Sequence, residues 1–204
     1  MYRQGWLLVA TAILAACGGN PAGPVNEPAY DFSFADPAGD TTEFTEPDVV
    51  PKGIDLVKVS GSVDPDEVRL TLEFAEPVSP WSAGTDTALD GFVDFDADEN
   101  RSTGIRDAGE EAGGSFELGA DFYLDLRDNG SGRMALVDAA KRTFSWVKAA
   151  FNGTTVEVTI PRSALVIGTD ADNRFFLGVM VTTKGRPVTD VAPNESHYLV
   201  EPDA

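Results

Sequence analysis

The chain is 204 residues long, with 34 acidic side chains against 15 basic ones and a formal net charge of -19. Such a surface repels phosphates and argues against nucleic acid as a partner; it is compatible with high solubility, a halophilic habitat or divalent-cation binding, and composition does not choose among the three. One cysteine and one histidine exclude an internal disulfide and leave little material for thiolate or imidazole chemistry.

The N-terminus runs from Met1-Tyr2-Arg3 through an apolar stretch, Trp6 to Leu14, to Leu14-Ala15-Ala16-Cys17-Gly18. That stretch is short for a permanent membrane span, and small residues precede the cysteine, which is the layout of a secretory signal peptide. Leu-Ala-Ala-Cys resembles the bacterial lipobox. The resemblance implies removal of residues 1–16 and acylation of Cys17 by a diacylglyceryl thioether and usually an amide-linked chain such as palmitate. More than one chain is what stable anchoring requires. Gly18 in place of aspartate points to outer-membrane or cell-surface delivery where the cell has an outer membrane. Residues 17–28, carrying Gly-Gly-Asn-Pro-Ala-Gly-Pro, have little to bury and read as a flexible tether. Residues 29–204 are of a size for one domain with a substantial core.

From Tyr30 onward, short apolar-alternating segments recur between clusters of Gly, Asp, Asn and Pro, the pattern of an all-β chain. Val68, Leu70, Leu72 and Phe74 alternate with Arg69, Thr71 and Glu73, which predicts a strand buried on one face only. Strands are also expected over Ile54–Ser60, Gly91–Asp96, Ala120–Arg127, Phe144–Phe151, Thr155–Ile160 and Phe175–Thr182. Asp128-Asn129-Gly130 and Asn152-Gly153 are turn signals, the second closing a tight hairpin. Pro161 to Leu165 is read as one short helical turn, with proline at a tolerated position. Regularly spaced strands without long helices predict an antiparallel two-sheet β-sandwich of jelly-roll type, preceded by the signal peptide and tether.

The most informative internal segment is Gly91 to Gly104. In a strand, Asp94 and Asp96 project from one face while Val93 and Phe95 occupy the other. A hard cation would relieve the repulsion between these carboxylates, and Asp94, Asp96, Asp98 and Asn100 offer the oxygen ligands that Ca2+ prefers. The segment is not an EF-hand, because Glu99 and Ile105 stand where that loop requires Gly and Glu. The alternative is a solvated acidic turn.

Taken in order, Phe34-Ala35-Asp36-Pro37-Ala38-Gly39-Asp40, Gly53-Ile54-Asp55-Leu56, Phe92-Val93-Asp94-Phe95-Asp96 with Thr103-Gly104, Gly119-Ala120-Asp121-Phe122-Tyr123 and Val156 to Pro161 resemble a known layout. It is that of the β-sandwich superfamily of family-9 carbohydrate-binding modules, DOMON-type domains and the C-terminal domain of glucodextranases. The resemblance spans about residues 30 to 200. It implies a jelly-roll-like sandwich that often carries structural calcium and in some members binds sugar chain ends. Asp40, Asp55 and Asp121 match acidic positions of the pattern and are further ligand candidates. Asp190-Val191-Ala192-Pro193-Asn194 resembles its ending, with no chemistry assigned beyond a turn.

Sugar recognition needs aromatic faces with polar groups around them. Trp81, Trp146 and Tyr123 are the ligand-binding candidates, with Tyr198 a further aromatic. Trp81, after Pro80 in an expected loop, is the better of the tryptophans, and a buried core position is the default for Trp146. Haem ligation, known among DOMON relatives, would need axial ligands. Here these reduce to His197, Met134 and Met180, more simply read as a surface histidine and core-filling methionines. Asp94 and Asp96 offer the two carboxyl groups that glycoside hydrolysis uses, but metal binding explains them more economically, so no enzymatic activity is expected. The overall expectation is an extracytoplasmic, lipid-anchored binding module with structural Ca2+, its partner a polysaccharide or, alternatively, another protein of the cell envelope.

Overall fold

The computed structural model describes residues 29–43, 54–105, 118–165, 174–183, 188–194 and 197–202. The signal peptide, Cys17, the tether and Gly53 lie outside the described residues. What is described is all-β, with no α-helix and a single 3-10 turn over Trp81–Ala83. The strands are β1 (Tyr30–Ala35), β2 (Thr42–Glu43), β3 (Leu56–Val63), β4 (Glu67–Phe74), β5 (Leu89–Asp96), β6 (Phe122–Asp125), β7 (Arg133–Asp138), β8 (Thr143–Asn152), β9 (Thr155–Pro161), β10 (Phe175–Thr183), β11 (Val188–Ala192) and β12 (Tyr198–Val200). Pro161 ends β9, and the expected helical turn after it is a single hydrogen-bonded turn in which Ala164 N donates to Pro161 O.

The ladders are antiparallel and run in one path, β1-β3-β4-β9-β8-β7-β6-β5-β10-β11-β2, with β12 on β10. A sheet this long must curl to bury one face on a single core, and the contacts show that it does. Phe32 of β1 meets Phe175 of β10 edge-on at 6.3 Å. Phe34 stacks on Tyr198 of β12 at 4.5 Å. Leu56 N of β3 donates to Asp190 Oδ2 of β11 at 2.6 Å. Strands near opposite ends of the path therefore face each other in a curled, half-barrel-like sheet, and one hydrophobic cluster draws residues from both limbs.

The alternation in β4 has the burial it predicts: Val68, Leu70, Leu72 and Phe74 are buried, while Arg69 and Glu73 are exposed. The β8–β9 hairpin closes on the pair Asn152↔Thr155. Gly153 stands at the first loop position with φ +71, where a type II′ turn needs glycine. At the β3–β4 turn Asp64 Oδ1 accepts from the backbone N–H of both Asp66 and Glu67 at 2.9 Å, and these bonds hold its carboxyl below the ordinary range.

Candidate cation sites and the aromatic outer face

In β5, Val93 and Phe95 belong to the main core, so Asp94 and Asp96 occupy the opposite face, as the alternation requires. That face is nevertheless closed: Asp94 is 1% exposed and Asp96 0%. The carboxylate group assembled here is Asp96, Asp98 and Asp121, each offering an oxygen within 4.8 Å of the others. Asp94 is not part of it. Two residues along a strand are about 6.6 Å apart, and the gathering is done instead by the bend after β5, which brings Asp98 back, and by the residue just before β6, Asp121, whose N–H donates to Phe95 O at 2.9 Å.

Backbone donors hold the loop in place. Asp121 Oδ2 accepts from Ala97 N at 3.0 Å and Asp98 N at 3.2 Å. Asn100 N donates to Asp96 Oδ1 at 3.1 Å and to Asp98 Oδ1 at 2.9 Å. Thr103 Oγ1 donates to the Asp98 carboxylate at 2.9 Å. The Asn100 side-chain oxygen accepts from Ser102 N, so the contacts of Asn100 with the acidic group are made by its backbone. Glu99, in a left-handed conformation with φ 54, points away into a two-pronged pair with Arg174 at 2.9 Å. Asp96 Oδ2 is buried with no hydrogen-bond partner among the described residues. Burial pushes the Asp96 carboxyl up to about 7, with Asp121 and Asp98 adding repulsion against the lowering bond from Asn100. Asp121 is raised too, chiefly by burial. A divalent cation here would supply the missing positive charge and the missing partner for Asp96.

Asp40 and Asp55 go elsewhere. They meet Asp36 and Asp190, and Asp36, Asp40 and Asp190 form a second group with oxygens within 4.8 Å of one another. Asp36 and Asp190 are not among the ligands expected from the sequence, yet the sequence carries a signal for them. Asp36 continues the buried-side row Tyr30, Phe32, Phe34, and Asp190 shares its face with Ala192, both buried. A carboxylate on the apolar side of an alternating strand needs a partner.

Of the aromatic candidates, Trp81 sits half-buried in the 3-10 turn. That turn is held by Asp128, which accepts from Ser82 N at 2.8 Å and Ser82 Oγ at 2.9 Å. Trp146 is not in the core: it is 46% exposed, and its neighbour two residues back, Phe144, is 60% exposed. The strand register explains this. Val147 faces the core, so Phe144 and Trp146 face outward, their rings edge-to-face at 5.2 Å. Pairing sets Phe92, Asp125, Ala135 and Trp146 in one row across the outer face and Asp94, Tyr123, Val137 and Phe144 in the next. Tyr123 is half-buried on this face, edge-on to Phe92 at 5.9 Å. Trp146 and Tyr123 thus share one surface. Phe144 also borders an open cleft with Phe122, Leu136, Thr143 and Ala164. Met134 and Met180 are fully buried in different hydrophobic clusters. His197 is half-buried, against Phe176 at 4.5 Å and Arg101 at 2.9 Å.

The sequence matches no protein-family model and no curated protein.

Proposed function

We propose that the chain is a lipoprotein of the cell envelope, acylated at Cys17, whose domain is a jelly-roll-like β-sandwich stabilised by Ca2+ that presents a non-catalytic binding face, with polysaccharide as the partner. The observation that carries the cation is the buried Asp96 oxygen without a hydrogen-bond partner, beside Asp98 and Asp121. Hard oxygen donors from a bent loop, with no nitrogen or sulfur ligand in the group among the described residues, favour Ca2+ over transition metals. The sandwich is the reading of the curl: the limb β1-β3-β4-β9 packs across the core from the limb β5-β10-β11. The lipid anchor rests on the lipobox-like Leu14 to Cys17.

For the cation, the melting midpoint of the full chain is measured in millimolar calcium and in excess chelator. At about a hundred times the dissociation constant a folded-state ligand adds about 2.7 kcal/mol, which for a domain of this size is a rise of roughly 5–10 °C. Asp96→Asn is expected to lose a substantial part of the rise. Coincident midpoints for the parent would remove calcium from the proposal.

For the partner, Phe144 and Trp146 supply an exposed aromatic surface, with Tyr123 on the same face two strands away. Trp146→Ala is expected to change stability by no more than about 0.5 kcal/mol, as exposed substitutions do, while abolishing retardation in polysaccharide-containing native gels. The exposure of this apolar pair also favours a second reading, docking of another envelope protein. A parent chain retarded by no polysaccharide would leave the face to such a partner.

A further inference from the structure

We propose that Asp36, Asp40 and Asp190, with Asp55 adjoining, form a second and separate calcium site, which fastens the two ends of the curled sheet to each other. Asp36 follows β1 and Asp40 closes the turn after it; Asp55 immediately precedes β3; Asp190 is in β11. In the order of the sheet, β1 and β3 lie at one end and β11 at the other. The carboxylates therefore converge from both sides of a seam that, at this point, is bridged by the bond from Leu56 N to Asp190 Oδ2 and by one from Asn194 Nδ2 to Asp40 Oδ2.

The second observation beyond the clustering is Asp36 itself. Its residue is 6% exposed, and neither of its carboxylate oxygens has a hydrogen-bond partner among the described residues. Asp40 Oδ1 and Asp55 Oδ1 are buried without partners as well. The other oxygens of these two already accept hydrogen bonds, Asp55 Oδ2 from Gly39 N at 2.9 Å and Asp40 Oδ2 from Asn194 Nδ2, while Asp190 accepts at both, Oδ2 from Leu56 N and Oδ1 from Val191 N. Asp55 is thus held at one oxygen by backbone, Asp40 at one by the Asn194 side chain and Asp190 at both by backbone, which leaves Asp40 Oδ1, Asp55 Oδ1 and both oxygens of Asp36 without a donor among the described residues. Ca2+ binds oxygens at about 2.3–2.6 Å, so ligands on opposite sides of the ion stand about 5 Å apart. Oxygens of Asp36, Asp40 and Asp190 within 4.8 Å of one another fit that sphere.

Burial of several carboxylates with no counter-charge is costly. Burial pushes the Asp36 carboxyl up to about 7, and the charges acting on it, those of Asp190, Asp40 and Asp55, are all negative. A divalent cation offsets that repulsion, and because its ligands come from both ends of the sheet, it links cation binding to closure of the seam.

The site is tested apart from the loop at Asp96 by calorimetric titration of the full chain with Ca2+. The parent is expected to bind two ions. Asp36→Asn breaks no side-chain hydrogen bond among the described residues, so the variant should fold and bind one; Asp96→Asn should bind the other one. In chelator Asp36→Asn is expected to melt above the parent, because a repelling charge is gone, and in calcium below it. Asp36→Ser, smaller and also uncharged, repeats the test should the amide itself recruit an ion. The site is overturned if both Asp36 variants keep the parent's stoichiometry and the parent's calcium shift, or if Asp96→Asn alone removes all binding. Loss of binding in the Asp36 variants together with no change in Asp96→Asn would instead overturn the loop site and leave the seam site standing.

Discussion

Phe175→Ala is expected to destabilise the domain by about 3–5 kcal/mol, the range for deleting a buried aromatic ring where the surroundings collapse only in part. Phe175 is 1% exposed at the start of β10. Its ring lies edge-on to Phe32 of β1 at 6.3 Å and tilted against Phe95 of β5 at 6.0 Å, so it packs on neighbours from both limbs of the curl. Phe95 and Asp96 are consecutive, and Phe32 and Asp36 belong to one alternating row, so the ring supports the strands from which both acidic groups depart. Urea unfolding gives the measurement. A cost below about 1 kcal/mol would mean that the limbs do not meet through this ring. Because apolar contacts are lost without new solvent-exposed backbone, the midpoint should move while the slope stays near that of the parent.

How far the sequence was readable follows from the range of each interaction. Alternation is local, so β4 and the hairpin at Gly153 are legible residue by residue, and so is the separation of Val93 and Phe95 from Asp94 and Asp96 on opposite faces of β5. The existence of an acidic group at Asp96 and Asp98 was legible for the same reason, since the bend after β5 keeps these residues close in the chain. Membership of the group was not. Asp121 lies across a strand pairing, and only the resemblance pointed to it; Asp94, the obvious partner by alternation, is held apart by the stiffness of the strand that made it look suitable. Asp36 and Asp190 are 154 residues apart, and their meeting depends on the curl of the sheet. For Trp146, also a ligand-binding candidate, size and apolarity default to a core position, whereas its outward direction is decided by the parity of β8: Val147 is the residue that faces in. β7 went unseen because Arg133, Asp138 and the glycines before it mask a short alternation of Met134 and Leu136, both buried.

Gly91→Ala is the substitution that sets backbone approach against side-chain packing. Gly91 lies in β5 at φ +127, a conformation that residues with a Cβ rarely adopt. A Cβ built there would stand 2.1 Å from Met180 O and 2.8 Å from Val181 Cα, both backbone atoms of the paired strand β10, with Val181 directly opposite Gly91. Neither atom can rotate out of the way, so the β5–β10 ladder itself must part or the chain must leave its conformation. Strain and overpacking each contribute about 1–3 kcal/mol, and a combined loss of roughly 2–6 kcal/mol is expected in chemical unfolding. Gly153→Ala is the control: its φ of +71 is left-handed, but nothing lies within 4 Å of the added carbon, so only the conformational cost of about 1–2 kcal/mol applies. Equal losses at the two positions would show that β10 yields at Met180 without penalty. A larger loss at Gly91 would mean that the close approach of β5 to β10 is a condition for the strand that delivers Asp96 to the loop. In that case the alanine variant should also lose part of its calcium-dependent gain in melting midpoint, although Gly91 supplies no ligand.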